Sequence, residues 1–285
     1  MSDRHHFTRF AAIDWSGAKG ARHPGIAVAL CDAGDPAPRL IAPPARGWAR
    51  AEVLDWVLAQ AGSPTLIGFD FSFSAPFVAR GAHLPGETQG DDARALWAHV
   101  DAASTDPDLG AAEFVDARRG THFYLGAQDG AKADFLHWRT CEVAHDGSTK
   151  PSTVFDAIGA AQVAKASFAG MRLLHRLDGR VPIWPFDPAP TRGACVVEIY
   201  TAIAARAAGA RKGRSKIRDG ATLDTALAAL GSRPHAALGR YTDHATDALL
   251  TAAWLRRAAD DAASWRPAAM TPQIARSEGW TFGVA

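Results

Sequence analysis

The stretch that most constrains the fold is "TLIGFDFSFSAP", residues 65–76. Phe69, Phe71 and Phe73 alternate with Asp70, Ser72 and Ser74, the two-residue period of a β-strand. Leu66 and Ile67 make its approach apolar enough for a central strand. A carboxylate there needs a reason, because an unpaired charge in a core is costly and Asp is rarely buried without a partner.

Two other apolar runs end the same way. "RFAAIDW" (9–15) leads into Asp14 and a glycine-rich turn, and "GACVVEIYT" (193–201) carries Glu198. In a sheet of mainly parallel neighbours such ends converge on one edge, where active sites of α/β proteins sit. A late helical stretch, "YTDHATDALLTAAWLRRAADD" (241–261), adds Asp243 and Asp247, four apart and therefore on one face. Leu250 and Trp254 continue that face, so it is the side expected to pack on the sheet. One acid in a first helical turn is explained by the helix dipole, worth about 0.3–1 kcal/mol; two on an inward stripe ask for more.

The order of elements places these acids. "RFAAIDW" and "IAVALCD" (26–32) read as an antiparallel hairpin, and "PRLIAP" (38–43) as a third strand. "ARAEVLDWVLAQAG" (49–62) has helical spacing, and the Phe-rich strand follows it. Residues of about 80–150 lose any clear period apart from a helix in "DDARALWAHVDAA" and read as a helical and irregular insertion over one end of the sheet. A long amphipathic helix is expected over 152–177, then strands at "VPIWPFD" and "GACVVEIYT", then two alanine-rich helices flanking a basic loop (210–218). No repeat or linker divides the chain, so 1–285 is expected to form a single α/β domain.

Acids brought together must be protonated or must share a cation. Oxygen ligands suit Mg²⁺ or Mn²⁺, and no Cys/His spacing suggests zinc. Two such ions held about 3.5–4 Å apart can activate water and stabilise the leaving oxygen of a phosphodiester. Composition neither adds nor removes this reading: with 285 residues, 47 % hydrophobic, 21 % charged and net charge +1, there is no global basic field. Three scattered cysteines, the lack of an apolar leader and the lack of a spanning segment give the expectation of a soluble, cytoplasmic protein with no membrane partner.

"AIDWSG", "GFDFSFS" and "TDHATDALLTAAW" resemble the first-strand, fourth-strand and final-helix acidic motifs of the ribonuclease H-like superfamily, the last in its RuvC-type form. More narrowly, "IDWSG", "DFSFSAP", "VEIYTA", "DHATDAL" and "EGWTFGV" together are similar to domain-of-unknown-function family 429, whose members are regarded as predicted nucleases. The resemblance implies a mixed five-stranded sheet with an N-terminal antiparallel hairpin and flanking helices. It implies Asp14, Asp70 and Asp247 as principal metal ligands, Asp243 or Glu198 as a fourth, a nucleic-acid substrate (DNA or RNA), and a homodimer by analogy with branched-DNA resolvases. Glu198 departs from the resolvase pattern, and its alternative is a salt bridge to Arg118 or Arg139.

Secondary candidates surround these acids. Ser16 and Ser72 lie two residues past an acid and would face the same cleft, where a hydroxyl can orient water or phosphate; the alternative is that they are ordinary turn and strand serines. Lys19, and Arg214 and Lys216 in "RKGRSK", could touch phosphates; the alternative for each is a solvated loop. His244 could move protons near neutral pH, but about 100° of helix rotation from Asp243 makes the surface its expected place. Trp138, Trp184 and Phe186 could stack on bases, with core or lid packing preferred. Two rival functions remain: an ATP-binding phosphotransferase of the actin-like or sugar-kinase type, which needs a second phosphate hairpin with "THFYLGAQDGAK" as nearest candidate, and a non-catalytic binding module of the same fold.

Overall fold

The structure, a computed structural model, describes residues 6–144, 151–159, 163–210 and 216–285. Five strands form one mixed sheet: β1 Arg9–Asp14, β2 Ala27–Asp32, β3 Arg39–Ile41, β4 Thr65–Asp70 and β5 Cys195–Glu198, in the spatial order β3-β2-β1-β4-β5. The first three strands meander antiparallel, whereas β4 pairs parallel with β1 on one side and β5 on the other. The carboxyl ends of β1, β4 and β5 therefore share one edge.

Alternation along the strands divides the core in two. Ala11, Ile13, Val28, Ile67, Phe69 and Val196 face one layer, and Phe10, Ala12, Ala29, Leu66, Cys195 and Val197 face the other. The first face lies under α1 (Arg50–Ala59) and α5 (Val163–Leu177), with α2 (Ala93–Ala102) and α3 (Ala112–Asp116) packed on α5. The close approach of α5 to the sheet requires Gly170, since a Cβ there would stand 2.3 Å from the Phe71 ring. On the second face α8 (Asp243–Ala258) crosses β1 and β2, flanked by α6 (Thr201–Ala207) and α7 (Gly220–Ala229). Thr242 caps α8 by accepting a hydrogen bond from the Ala245 amide (3.2 Å), so Asp243 begins the helix.

The segment joining β4 to β5 is where the sequence reading needed correction. Of the helix expected over 152–177, Val163–Leu177 is helical, but 152–159 is not: Val154 and Phe155 are buried in irregular chain, and Gly159 has φ +101°. "VPIWPFD" contributes only an isolated bridge between Ile183 and Val196. "THFYLGAQDGAK" forms turns and one short 3₁₀ turn, Ala127–Asp129, with a single bridge between Arg119 and Phe123. It is no phosphate hairpin, and the described residues hold one sheet. Of the stretch around 80–150, the described part, 80–144, is helical and irregular as expected, and its helix α2 packs against α5. Among the described residues no helix is long and apolar enough to cross a membrane.

Candidate active site at the carboxyl edge of the sheet

Asp14 and Asp70 are the last residues of neighbouring parallel strands and pair in register, Asp14 directly beside Asp70. Paired residues of neighbouring strands point to the same face, with backbones about 4.8 Å apart. Both acids thus stand on the face covered by α8, and α8 supplies the third, Asp247, from its second turn. Asp70 feels both of the others, and Asp247 feels Asp14. Asp70 is pushed up to about 8, first by burial and then by Asp14 and Asp247. Asp247 is pushed up to about 7 by burial, then by Asp14 and Asp243. Burial also raises Asp14, outweighing the hydrogen bond it accepts from His244. Thr201, at the start of α6, donates to Oδ2 of Asp70 at 3.2 Å.

The two acids expected as a fourth ligand are occupied elsewhere. Glu198 pairs in register with Phe69, one residue short of Asp70, and so points through the opposite face of the sheet. There it is buried and fully bonded: Arg139 donates to both oxygens (2.5 and 2.7 Å), Thr281 to Oε1 (2.5 Å) and the Phe73 amide to Oε2 (2.7 Å). Glu198 is therefore engaged in a buried ion pair on the far face from Asp14 and Asp70, and of the two arginines considered for it, Arg139 is the one used. Arg118 instead holds Glu87 through two hydrogen bonds of 2.7 Å. Glu278, in the "EGW" motif, completes the same buried network by accepting from the Phe77, Val78 and Thr140 amides.

Asp243 is near enough to raise Asp14 and Asp247, but its own carboxylate is engaged by Lys216 and Arg218. Lys216 Nζ lies 3.0 Å from Oδ2, and Arg218 reaches both oxygens, one of them at 3.2 Å. Burial works against its ionisation, but these two cations outweigh it and hold the carboxyl below its usual range. Lys216 is thereby placed where it also lowers Asp247. Arg214 lies outside the described residues. His244 is exposed, as expected, yet it also reaches the acids: its Nδ1 donates to Oδ1 of Asp14 at 2.8 Å while the side chain stays 47 % exposed. That bond, the largest of its influences, raises the imidazole pKa. Its position one residue after Asp243 is visible in the sequence; its contact with Asp14, 230 residues earlier, is not.

The remaining candidates separate. Ser16 follows Asp14 into the loop and accepts from the Ala18 amide at 3.3 Å, while its carbonyl is gripped by buried Arg50 at 2.9 and 3.0 Å. Ser72 is buried beyond Asp70 and donates its amide to Ser167. Lys19 is exposed and lies 3.5 Å from Asp116, apart from the acids. Trp184 is core, and Phe186 packs edge-on to Trp97. A cleft of about 280 Å³ opens beside Asp70, bounded by Phe71, Ser72, Ser152, Val163, Ile199 and Tyr200 and floored by Arg139 and Glu198.

Three carboxylates are donors of the kind Mg²⁺ and Mn²⁺ take, and their mutual repulsion is what a divalent cation relieves. Among the described residues, no three His, Cys, Asp or Glu side chains are close enough to hold an ion as they stand. Asp14 is engaged with His244, so a shared ion demands that this side chain turn. Thiol chemistry has no foothold, since Cys31, Cys141 and Cys195 are buried and burial pushes Cys141 and Cys195 up to about 12. Comparison of the chain with protein-family models, with curated proteins and with solved structures finds no match.

Proposed function

We propose that this chain is a divalent-cation-dependent phosphodiesterase of ribonuclease H-like architecture, a nuclease acting on DNA or RNA. The observation that carries the reading is the in-register pair Asp14 and Asp70 at the carboxyl ends of parallel strands, with Asp247 brought onto them by α8. A strand hairpin, a third strand, a helix, two further parallel strands and a late acidic helix follow in the order expected from the resemblance, which supports the architecture. Asp14, Asp70 and Asp247 would hold Mg²⁺ or Mn²⁺. A bound ion there supplies an activated water and charge stabilisation for the leaving oxygen.

The chain's own groups supply the rest. Asp14 sits centrally, between the in-register Asp70 and the His244 imidazole. His244 carries a proton beside the acids, and its exposed ring can exchange that proton with solvent. Lys216 and Arg218, two cations sharing the single carboxylate of Asp243, leave an excess of positive charge beside the site for a substrate phosphate. Thr201 orients Asp70 through its hydroxyl.

The test is cleavage of single-stranded, duplex, hybrid and branched substrates in Mn²⁺, with Asp14→Asn alongside. Cleavage that needs Mn²⁺ and is lost in Asp14→Asn supports the reading. Cleavage that persists in Asp14→Asn, or none on any substrate, overturns it.

A further inference from the structure

The cleft beside Asp70 has a composition that the carboxylate chemistry leaves unexplained. Its charged floor is saturated. Arg139 gives both Nη groups to Glu198 and its Nε to Glu142 at 2.9 Å, and its backbone amide occupies the other Glu142 oxygen at 2.9 Å. Every charged group at the bottom is already bonded, so the floor offers no free cation to a phosphate. Phe71, Pro151, Val163, Ile199 and Val284 make the walls largely apolar, and the hydroxyls of Ser72 and Ser152 edge them. The cleft therefore rejects an anion and suits a flat, uncharged group with a few polar edges. The excess positive charge lies elsewhere, where Lys216 and Arg218 share the one carboxylate of Asp243, on the Asp247 and Asp243 side of the acids.

We propose that this cleft receives the base of an unpaired nucleotide adjoining the scissile phosphodiester, so that the substrate is a single strand, flap, bulge or frayed end and not a continuous duplex. The inference rests on the phosphodiesterase reading and adds the substrate's structure to it. A nucleic-acid strand has two chemically distinct sides, and the site matches both: phosphates toward Lys216 and Arg218, a base into the cleft, and the linkage between them across Asp14, Asp70 and Asp247. A base in a duplex reaches such a cleft only by leaving its stack, at a cost that an already unpaired nucleotide does not incur. At about 280 Å³ the cleft is near the lower limit of ordinary ligand pockets, a size for one such group and not for a base pair.

The experiment uses short DNA and RNA oligonucleotides carrying one 2-aminopurine, single-stranded or annealed to a complement, titrated with the full chain in EDTA so that no cleavage intervenes. Single strands of at least one sugar type are expected to bind with a change in 2-aminopurine fluorescence, and the annealed forms to show none. Ser152→Trp, which fills the cleft from a partly buried loop position, is expected to weaken single-strand binding about tenfold, the scale of one lost base contact. Val163→Phe is the second variant, and matched melting temperatures establish that both fold. Equal binding of single and annealed strands, or undiminished binding by the folded variants, overturns the proposal. The two readings fail separately. Mn²⁺-dependent cleavage without strand preference sinks the cleft assignment alone. Cleft-dependent binding without any hydrolysis sinks the phosphodiesterase reading and leaves the cleft as a nucleotide site.

Discussion

Replacing Asp70 by asparagine keeps the side chain's shape and removes its charge, and the structure sets what this does to stability. In the folded chain Asp70 is pushed up to about 8 by burial, Asp14 and Asp247; in the unfolded chain an Asp titrates near 3.9. Between about pH 4 and pH 8 the folded state keeps a proton that the unfolded state has released. Without metal, this contribution is fully present below pH 4, is lost as pH rises through the window by at most about 1.4 kcal/mol per unit, and levels off above pH 8. At pH 7 the ceiling is about 4 kcal/mol. Asp70 borders the open cleft and shares its protonation with Asp14 and Asp247, so about half that figure, ~2 kcal/mol, is expected. Urea unfolding in EDTA at pH 5, 6, 7 and 8 reads it directly: Asp70→Asn should be more stable than the parent, by a margin that widens with pH. A margin that stays constant from pH 5 to pH 8, or a variant less stable than the parent at pH 8, refutes the placement of Asp70 among like charges.

Two further perturbations separate structural acids from functional ones. Arg139→Ala leaves Glu198 and Glu142 buried without their cation and should cost about 3–5 kcal/mol in urea unfolding; a loss below 1 kcal/mol would restore Glu198 as a candidate ligand. Asp243→Asn removes only a partly exposed ion pair and should cost less than about 1 kcal/mol. By freeing Lys216 and Arg218 it should tighten oligonucleotide binding at low salt, which a fluorescence anisotropy titration checks; weaker binding would show that Asp243 itself is needed at the site.

Much of the edge was legible because strands announce themselves by alternation. Asp14 and Asp70 each follow an apolar run, and the hairpin preceding a helix and a fourth strand orders the sheet so that these two runs become neighbours. Glu198 was misplaced for a reason no single strand reveals: register. A pairing of Glu198 with Asp70 would have put three acids on one face, but it pairs with Phe69, and one residue of offset sends it into the other layer. Asp243 and Asp247 do share a helix face by spacing, yet the Asp243 carboxylate is taken up by cations 25 and 27 residues earlier in the chain, contacts that periodicity does not carry. The contact of His244 with Asp14, 230 residues earlier, is equally invisible to periodicity. The over-long helix at 152–177 arose because Val154 and Phe155 are buried, as helix residues would be, while belonging to irregular chain.

The account stands on Asp14, Asp70 and Asp247 sharing a divalent cation, and a Mn²⁺ titration followed by electron paramagnetic resonance tests that most directly. The parent chain at pH 8 should take up Mn²⁺, with unfolding stability rising by about 2.7 kcal/mol at 100 times the dissociation constant. Asp14→Asn and Asp247→Asn should each lose both effects. Mn²⁺ uptake that is absent from the parent, or undiminished in those two variants, contradicts it.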